Sequence, residues 1–555
     1  MTTRSVWVVA LALFALALVG RFPKLGNRPF HADEAVHAAK FRELWEQKSY
    51  RYDPNEFHGP TIYYAALPVV AASGHKTFGS LTEADLRGGV AILGAALAPL
   101  LLLFRKHLSS SALLWGGLFF ALSPAFVFYS RYFIQEVFLV VFTVLFLAFA
   151  ARQQASVAGL FAGLMIATKE TAILTFFAAG VAWLIARGSA KKLPWRALLV
   201  GSGVALASSY LVLSGFFSTP TGPLGYLKTY LPWLNRAGGG GEALHAHPWY
   251  DYLERFFWHP QPARPLWSEG FILVLALCGA FLGRRTEFCL PARLGSPPSG
   301  SAKGLWCKSP SPSQGGTTDQ PEGVARHERG EVKTNDYAGR RTETGKFVVV
   351  LALLLTLIYT VIPYKTPWCG LNFLAPLIVL AGMGAAGLIE RAHHRVAKAF
   401  VGLGLLLGTA HLGWLSYQTS FVYFSDTKNP YVYSPTLPGI SELKTRMEGL
   451  AQTHPDGDKV VVKLVSRDGY YWPIPWYLRK LDNIGYYTGQ LPDDVTAPVL
   501  LVSPRYEEPV LERLPSHQLK GMHGLRLGVF YDLIVEKTLW ESYRKLHPPR
   551  DDEEE

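Results

Sequence analysis

The sequence predicts a polytopic α-helical membrane protein with a small α/β domain at its C-terminal end. Of its 555 residues, 49% are hydrophobic and only 17% are charged, whereas about a quarter of the residues of a soluble domain are charged. The apolar residues are concentrated in repeated runs before about residue 417, and the chain beyond has a soluble composition. This pattern excludes a disordered chain, and only four cysteines exclude a disulfide-rich scaffold.

Eleven apolar runs are predicted to cross the membrane, since a spanning helix needs roughly 20 mostly apolar residues. They occupy residues 5–20, 88–104, 112–129, 137–151, 155–168, 171–186, 197–214, 269–283, 347–362, 372–389 and 398–416. The first run alone resembles a secretory signal peptide, but no small-residue cleavage site follows it. Thr168-Lys169-Glu170 separates the fifth and sixth runs, which count as two crossings.

Basic residues occupy alternate loops between these runs. They are Arg105-Lys106-His107, Arg152, the segment 187–196 and the segment 391–398. A net charge of +12 is also found in nucleic-acid-binding proteins, but in a membrane protein it marks cytoplasmic loops. We therefore predict a multi-pass protein of the inner (plasma) membrane with a cytoplasmic N-terminus, an extracytoplasmic C-terminal domain and no nucleic-acid partner.

Residues 1–416 form the predicted transmembrane domain, which contains two long loops. Residues 21–87 form the first outer loop, with juxtamembrane helices rather than a full crossing. Residues 284–346 are rich in Ser, Pro, Gly and charge, which predicts a disordered cytoplasmic insert. Cys289 and Cys307 lie in it without partners at metal-ligand spacing, and we interpret them as inert thiols.

Residues 417–548 are predicted to form the α/β domain. Three β-branched runs at 459–466, 484–489 and 498–504 are typical of strands, and helical patterns lie between them. The acidic tail 549–555 is interpreted as a solvated charge run.

Polar residues collect in the loops predicted on the outer side. Charges gathered at one membrane interface indicate a functional site, because isolated charges there are costly. The candidate residues are Asp33, Glu34, His58, Arg131, Glu136, Lys169, Glu170, His245, His247, Lys365 and Trp368.

Several candidates also have a simpler interpretation. Asp33-Glu34 is also compatible with a solvated helix start. Arg131 is compatible with a contact to lipid headgroups, and Lys365 with a place in the aromatic belt. His245 and His247 are compatible with either metal binding or hydrogen bonding. Lys169-Glu170 is harder to dismiss, because a helix break within the membrane is tolerated only where it lines a polar cavity.

Together these groups suit an anionic, lipid-linked substrate. Lys and Arg side chains neutralise a phosphate leaving group, and a carboxylate takes the proton of an acceptor hydroxyl. One base and one activated leaving group imply a single displacement with inversion.

Six short motifs resemble those of the GT-C superfamily of membrane glycosyltransferases, in the dolichyl-phosphate-mannose protein mannosyltransferase-like clan. The motifs are HADEAVH (31–37), FHGPTIYY (57–64), YSRYFIQE (129–136), ATKET (167–171), HAHPWY (245–250) and IPYKTPW (362–368). Within the clan they are most similar to the flippase activity-associated membrane proteins. The resemblance covers roughly residues 1–430, and it implies a GT-C-like fold and a polyprenyl-phosphate sugar donor.

The resemblance also implies roles for the candidate residues. Asp33 corresponds to the catalytic base, Glu34 to its partner and Glu136 to a second acidic residue that orients the acceptor or a metal. The donor phosphate is assigned to Arg131, Lys169 and Lys365, and the lining residues are His58, Glu170, His245, His247 and Trp368. His58 stands where the family often has Lys. No cofactor is certain; a divalent cation (Mg²⁺ or Mn²⁺) held by Asp33 and Glu136 stays an open alternative.

Two functions follow from these residues. The first is a glycosyltransferase that transfers sugar from a polyprenyl-phosphate carrier to a lipid, glycan or protein acceptor at the outer face. The second is a lipid-linked-sugar flippase or flippase accessory protein without catalysis. The near absence of charge inside the spans counts against transport, which needs polar residues across the membrane. A structural scaffold whose C-terminal domain binds a partner is a third alternative.

Overall fold

The computed structural model describes residues 3–54, 58–187, 194–240, 245–282 and 324–548, with the side chains of the last range described from Thr342 onwards. The predicted acidic tail lies outside these residues. Nine α-helices cover the first part of the described chain. They are α1 (Thr3–Arg21), α2 (Ala32–Gln47), α3 (Thr61–Ser73), α4 (Glu83–Leu100), α5 (Ser110–Leu122), α6 (Pro124–Tyr129), α7 (Glu136–Ala151), α8 (Ala155–Ile166) and α9 (Ala172–Arg187).

Eight further α-helices complete the part of the chain predicted to be transmembrane. They are α10 (Trp195–Leu213), α11 (Gly222–Lys228), α12 (Tyr230–Asn235), α13 (Asp251–Phe257), α14 (Gly270–Leu282), α15 (Val324–Val361), α16 (Leu371–Arg391) and α17 (Arg395–Tyr417). Short 3-10 or π-type turns extend or connect them at Phe78–Ser80, Leu101–Phe104, Arg236–Gly240, Pro367–Gly370 and Gln418–Val422.

Each of the eleven apolar runs contains one of these helices. Among the described residues, six helices are long and apolar enough to cross a membrane, and the remaining runs contain shorter apolar helices. The run 112–129 is divided, because Ser123 ends α5 and Pro124 begins α6. The first outer loop contains helices α2 and α3, and their juxtamembrane placement stays a prediction.

The predicted insert 284–346 is described only from residue 324. Residues 284–323, including Cys289 and Cys307, lie outside the described residues. From Val324 the chain is helical as the start of α15, where the sequence predicts disorder. Adding residues to an existing helix is much easier than starting one, so the apolar part of α15 supports a charged extension.

Hydrogen bonds join some of the basic loops to neighbouring helix ends. The Arg152 guanidinium donates to Leu103 O at 2.8 Å, which brings its loop beside the loop at 105–107. Arg391 similarly donates to Leu282 O at 3.1 Å. These contacts are the ones expected if the joined segments face the same side of the membrane.

Helices α14 and α16 approach each other closely at glycines. A Cβ atom on Gly279 would lie 2.0 Å from Leu380 O, and one on Gly384 would lie 1.9 Å from Leu275 O. Small residues permit such close backbone contact between membrane helices.

The C-terminal domain is built on a five-stranded sheet with the order β2-β1-β3-β5-β4. Strands β1, β2 and β3 are parallel, and β5 and β4 continue the sheet in antiparallel fashion. The strands are β1 (Val462–Ser466), β2 (Ile484–Thr488), β3 (Val499–Val502), β4 (His517–Arg526) and β5 (Val529–Glu536). The α-helices of this domain are α18 (Ile440–Thr453), α19 (Ile474–Tyr477), α20 (Glu507–Arg513) and α21 (Lys537–Leu546), with 3-10 turns at Gly457–Lys459 and Pro504–Tyr506. The three predicted strands are present, and the β4–β5 hairpin is additional.

Candidate active site

The first turn of α2 holds Asp33 at the surface of the site. His31 caps the helix: its Nδ1 accepts from Asp33 N at 3.1 Å, and its own N donates to Glu34 Oε2 at 2.9 Å. This reciprocal pair is a capping box. Because the turn is fixed in this way, the Asp33 side chain remains 47% exposed, whereas Glu34 points into the protein.

Glu34 is part of a buried ion pair. Its two carboxylate oxygens accept from Arg87 Nε and Nη2, each at 2.7 Å, and Oε1 also accepts from Phe133 N at 2.8 Å. Burial alone would raise the pKa of Glu34, but the charges of Arg87 and Arg28 lower it to about 2. A carboxylate so fully engaged is a poor base. The geometry favours a positioning role for Glu34 beside Asp33, and the residue that sequence reasoning missed is Arg87.

Arg131 holds the end of α1. Its Nη1 donates to Arg21 O at 2.7 Å and to Pro23 O at 2.8 Å, and its Nη2 donates to Lys24 O at 3.0 Å. The guanidinium also lies over the Phe421 ring at 4.5 Å. Because backbone carbonyls occupy both terminal nitrogens, this placement does not favour the predicted phosphate-binding role of Arg131.

Lys169 and Glu136 form a buried ion pair at the break between α8 and α9. Cys369 Sγ lies 3.8 Å from Lys169 Nζ and 3.7 Å from Glu136 Oε1. The structure thus brings together one predicted phosphate ligand and one predicted acidic residue. The lysine charge is retained at the break because the carboxylate compensates it.

His58 packs against the same break. Its Nδ1 lies 2.6 Å from Glu170 Oε2, and its side chain is 32% exposed. Gly59 N donates to Thr168 O at 3.1 Å, and the hydroxyls of Thr61 and Thr168 are 2.8 Å apart. A carboxylate on one imidazole nitrogen orients the ring, so His58 is held at the site in a defined orientation.

Gly59 is required for this contact between the first loop and the helix break. A Cβ atom at this position would lie 1.9 Å from Ala167 O and 2.4 Å from Ala167 C. Backbone atoms cannot move aside as a flexible side chain can, so only glycine fits.

His37, which sequence reasoning did not select, contacts two neighbouring elements. Its Nδ1 is 3.0 Å from the Tyr63 hydroxyl on α3 and 3.4 Å from Nε2 of Gln135, the residue before Glu136. Burial lowers the pKa of His37 to about 3. The ring therefore joins the helix that carries Asp33 to the segments that carry His58 and Glu136. The sequence signal was its position four residues after Asp33, on the same helix face.

A second group of predicted residues joins the loop after α15 to the loop before α13. Lys365 N donates to His245 O at 3.0 Å, and His247 N donates to Pro363 O at 3.1 Å. The His245 Nδ1 lies 2.5 Å from the Tyr433 hydroxyl. Backbone pairing thus brings His245, His247 and Lys365 together.

Lys365 and His247 both lie near Asp251. Lys365 Nζ donates to Ile362 O; burial lowers its pKa, and the Asp251 carboxylate opposes this effect. His247 Nδ1 is 3.7 Å from Asp251 Oδ1. Burial lowers the pKa of His247, and Asp251 again opposes it.

Trp368 packs between three parts of the site. Its ring centroid lies 5.6 Å from that of His31, 5.7 Å from Tyr433 and 6.3 Å from Tyr129. Trp368 thus contacts both the cap of α2 and the ring partner of His245, and its role in lining the substrate stays a prediction.

The divalent cation held by Asp33 and Glu136 stays a prediction. Among the described residues, no group of three or more His, Cys, Asp and Glu side chains is placed to hold a metal ion. Of the two possible ligands, Glu136 is already paired with Lys169.

The segment 429–437, which sequence reasoning did not assign to the site, runs through it. Tyr431 O accepts from the Tyr129 hydroxyl at 2.7 Å, and Thr436 Oγ1 donates to Phe30 O at 2.6 Å. Between them lies Tyr433, the partner of His245. The proline-containing sequence NPYVYSPT indicates only a loop, and its aromatic content was the available signal.

Comparison with known proteins identifies the architecture. No protein-family model and no curated protein matches the chain. Among solved structures, it is similar to ArnT from Cupriavidus metallidurans bound to undecaprenyl phosphate, with 14% identity, a TM-score of 0.54, and coverage of 95% of this chain and 98% of that one. It is also similar to the apo oligosaccharyltransferase of Archaeoglobus fulgidus, with 11% identity, a TM-score of 0.50, and coverage of 98% and 78%. Both are GT-C glycosyltransferases.

The chain has the GT-C fold. This finding confirms the predicted class, a polytopic helical membrane protein with a small C-terminal sheet domain. The narrower resemblance to the flippase activity-associated proteins stays a prediction.

Proposed function

We propose that the protein is a membrane glycosyltransferase that transfers a sugar from a polyprenyl-phosphate donor to an acceptor on the extracytoplasmic face. The observation that carries the proposal is the half-exposed Asp33 carboxylate on a helix that contacts, through His37, the segments carrying His58 and the buried Lys169–Glu136 pair. In the similar fold of ArnT the ligand is undecaprenyl phosphate, which supports the same class of donor here.

In the proposed reaction Asp33 accepts the proton of an acceptor hydroxyl as that oxygen attacks the anomeric carbon of the donor sugar. The bond from the anomeric carbon to the phosphate oxygen breaks, and the phosphate leaves with the electron pair. Lys169 is the cation proposed to stabilise this charge, His58 is proposed as a hydrogen-bond donor to the same phosphate, and Lys365 is a further candidate. One displacement inverts the anomeric configuration.

Lys169 needs its carboxylate partner for this role. An unpaired ammonium buried at membrane depth is costly, so Glu136 keeps it charged when no donor is bound. A donor phosphate then adds a second anion to a lysine already in place. Glu136 is thereby proposed as a positioning residue and not as a second base.

The test is transfer of labelled sugar from a synthetic polyprenyl-phosphate donor by the purified protein in nanodiscs. We expect Asp33→Asn to lower the rate by about 10²–10⁴-fold, the usual contribution of a general base. Asp456→Asn is the matched control, since the Asp456 side chain is 67% exposed in the C-terminal domain. Equal rates for wild type and Asp33→Asn would overturn the assignment of the base.

The flippase alternative is tested with the protein in the same nanodiscs and in vesicles of the same lipid composition. Movement of the lipid-linked sugar between leaflets without transfer to any acceptor would replace the enzymatic proposal with transport.

A further inference from the structure

One edge of the C-terminal sheet collects several loops. The carboxyl ends of the parallel strands β1, β2 and β3 meet there. The pairing of Val502 with Asp532 and of Arg526 with Val529 brings the β4–β5 turn to the same edge. Carboxyl ends of parallel strands are common places for ligand binding in α/β sheets. We call this region, with Tyr470, Tyr471, Tyr486 and Arg526, the carboxyl edge.

The carboxyl edge adjoins the active site. Leu437 N donates to Leu525 O at 2.9 Å, and the preceding residue, Thr436, is hydrogen-bonded to Phe30 O. Arg526 is therefore the next residue after Leu525, which is hydrogen-bonded to the segment that holds the start of α2. Burial lowers the pKa of Arg526, and the Asp33 carboxylate opposes this effect, which is consistent with their proximity.

Arg526 has unused hydrogen-bond donors. Its guanidinium lies over the Tyr470 ring at 5.3 Å, and it forms no hydrogen bond or ion pair with any residue in the described part of the chain. An arginine offers five N–H donors in a planar fork. These donors are directed by the stacking on Tyr470 and remain available to a ligand.

Tyrosine rings supply flat surfaces next to Arg526. Tyr470 is 46% exposed and Tyr486 is 38% exposed. Tyr471 stacks on Tyr486 with centroids 5.1 Å apart, so the rings are held in place. Aromatic rings combine an apolar face with a polar hydroxyl, which suits a sugar ring with its C–H face and hydroxyl groups.

This combination favours a sugar over a peptide or a lipid chain. A peptide that adds a strand pairs its backbone along a lateral strand, whereas Tyr470 lies beyond the end of β1 and Arg526 is the last residue of β4. A lipid chain needs a continuous apolar surface, whereas the exposed charged residues Arg467 and Asp468 lie just before Tyr470 in the chain.

We propose that the carboxyl edge is a binding site for the sugar portion of a glycan acceptor, which stacks on Tyr470 and is hydrogen-bonded by Arg526. The site would present an acceptor hydroxyl toward Asp33. The role as acceptor site rests on the proposed function, whereas sugar binding itself does not.

Sugar binding is measured first, by saturation-transfer NMR on the full-length protein in nanodiscs without donor. The probes are methyl glycosides of mannose, glucose, galactose and glucuronic acid, and chitobiose. We expect at least one probe to bind. Arg526→Ala and Tyr470→Ala should each weaken the binding of that probe about tenfold, which is the size of effect expected for the loss of a hydrogen bond to a charged group. Tyr470→Phe keeps the ring and should retain binding.

Arg513→Ala is the matched control. Arg513 ends α20 and is exposed at the opposite edge of the sheet, so its loss removes the same charge far from the proposed site. Binding of none of the probes, or equal weakening by Arg513→Ala and Arg526→Ala, would overturn the proposal. If Arg526→Ala does not fold, the comparison of Tyr470→Ala with Tyr470→Phe tests the proposal by itself, because Tyr470 is exposed.

Transfer assays separate this inference from the proposed function. With an acceptor built from the bound sugar, Arg526→Ala should raise the acceptor KM about tenfold and leave kcat and donor hydrolysis within about twofold. Sugar binding without any transfer would support the carboxyl edge and count against the glycosyltransferase proposal. Unchanged acceptor KM in Arg526→Ala, with transfer intact, would overturn the acceptor site alone.

Discussion

Asp33 and Glu34 are adjacent carboxylates with opposite surroundings. Asp33 is about half exposed, while Glu34 is buried against Arg87. Adjacent helix positions point in different directions, so one turn of α2 both presents the proposed base and anchors itself. This division of roles between two neighbours is the residue-level basis of the site.

Glu34→Gln should destabilise the protein. Removing one charge of a buried ion pair typically costs about 3–5 kcal/mol, since Arg87 is left buried and unpaired. The pKa of Glu34 is lowered from 4.5 to about 2, so its stabilising effect is complete above pH 4.5 and is lost as the pH falls from there toward 2. Thermal unfolding in detergent between pH 3 and 7 measures both effects.

Glu46→Gln provides the comparison for this experiment. Glu46 forms an exposed pair with Arg42 on the same helix, and exposed pairs contribute about 0–1 kcal/mol. Equal loss of stability in the two variants would contradict the anchoring role of Glu34.

At this scale the sequence predicted which residues share a face, but not their partners. Asp33, His58 and Lys169 were selected because their loops are predicted to lie on one side of the membrane. Arg131 was selected for the same reason, yet backbone carbonyls occupy its guanidinium. Hydrogen bonds between residues about 100 positions apart leave no local pattern in the sequence.

The contact of the first outer loop with the α8–α9 break is the main element-level feature. It joins the HGPT segment to the TKE segment through Gly59 and the Thr61–Thr168 hydrogen bond. Both predicted motifs thus form one structural unit.

Gly59→Ala should separate these two segments. The added methyl would overlap Ala167 O, and such overpacking typically costs about 1–3 kcal/mol. We expect a lower melting temperature and slower sugar transfer, because His58 would move from Glu170. Gly180→Ala is the control, since a Cβ there meets no atom within 4 Å and a helical alanine is favoured by about 1 kcal/mol.

Two elements that the sequence did not predict were missed for different physical reasons. Strand β4 carries register shifts between Leu519 and Met522 and between Gly524 and Arg526, and such bulges destroy the alternation that identifies a strand. The N-terminal part of α15 has a composition typical of disorder, and its helical state depends on the apolar helix that follows. The eleven apolar runs and the three parallel strands needed no such context.

At the scale of the whole molecule, the basic loops and the candidate site lie at different ends of the bundle. Thr344 Oγ1 lies 3.5 Å from His107 Nδ1, which adds the start of the apolar part of α15 to the basic end. We propose that this end is cytoplasmic, and that the C-terminal domain lies on the other side.

Single cysteines introduced into a cysteine-free variant test this orientation. Ser441→Cys in the C-terminal domain should react with a membrane-impermeant maleimide in intact cells, whereas Lys106→Cys should react only after permeabilisation. Both residues are exposed, so access to the reagent depends on the membrane. Reaction of Lys106→Cys in intact cells would reverse the proposed topology.

The hydrogen bond from Thr436 to Phe30 has a consequence for biogenesis. Phe30, just before α2, is synthesised early, but its carbonyl finds its partner only after the last apolar helix has been made. Tyr477, whose hydroxyl accepts from Phe30 N at 2.9 Å, is synthesised later still. The start of α2 therefore stays without these two hydrogen bonds until the C-terminal domain has been synthesised, and completion of the candidate site waits for that domain to fold.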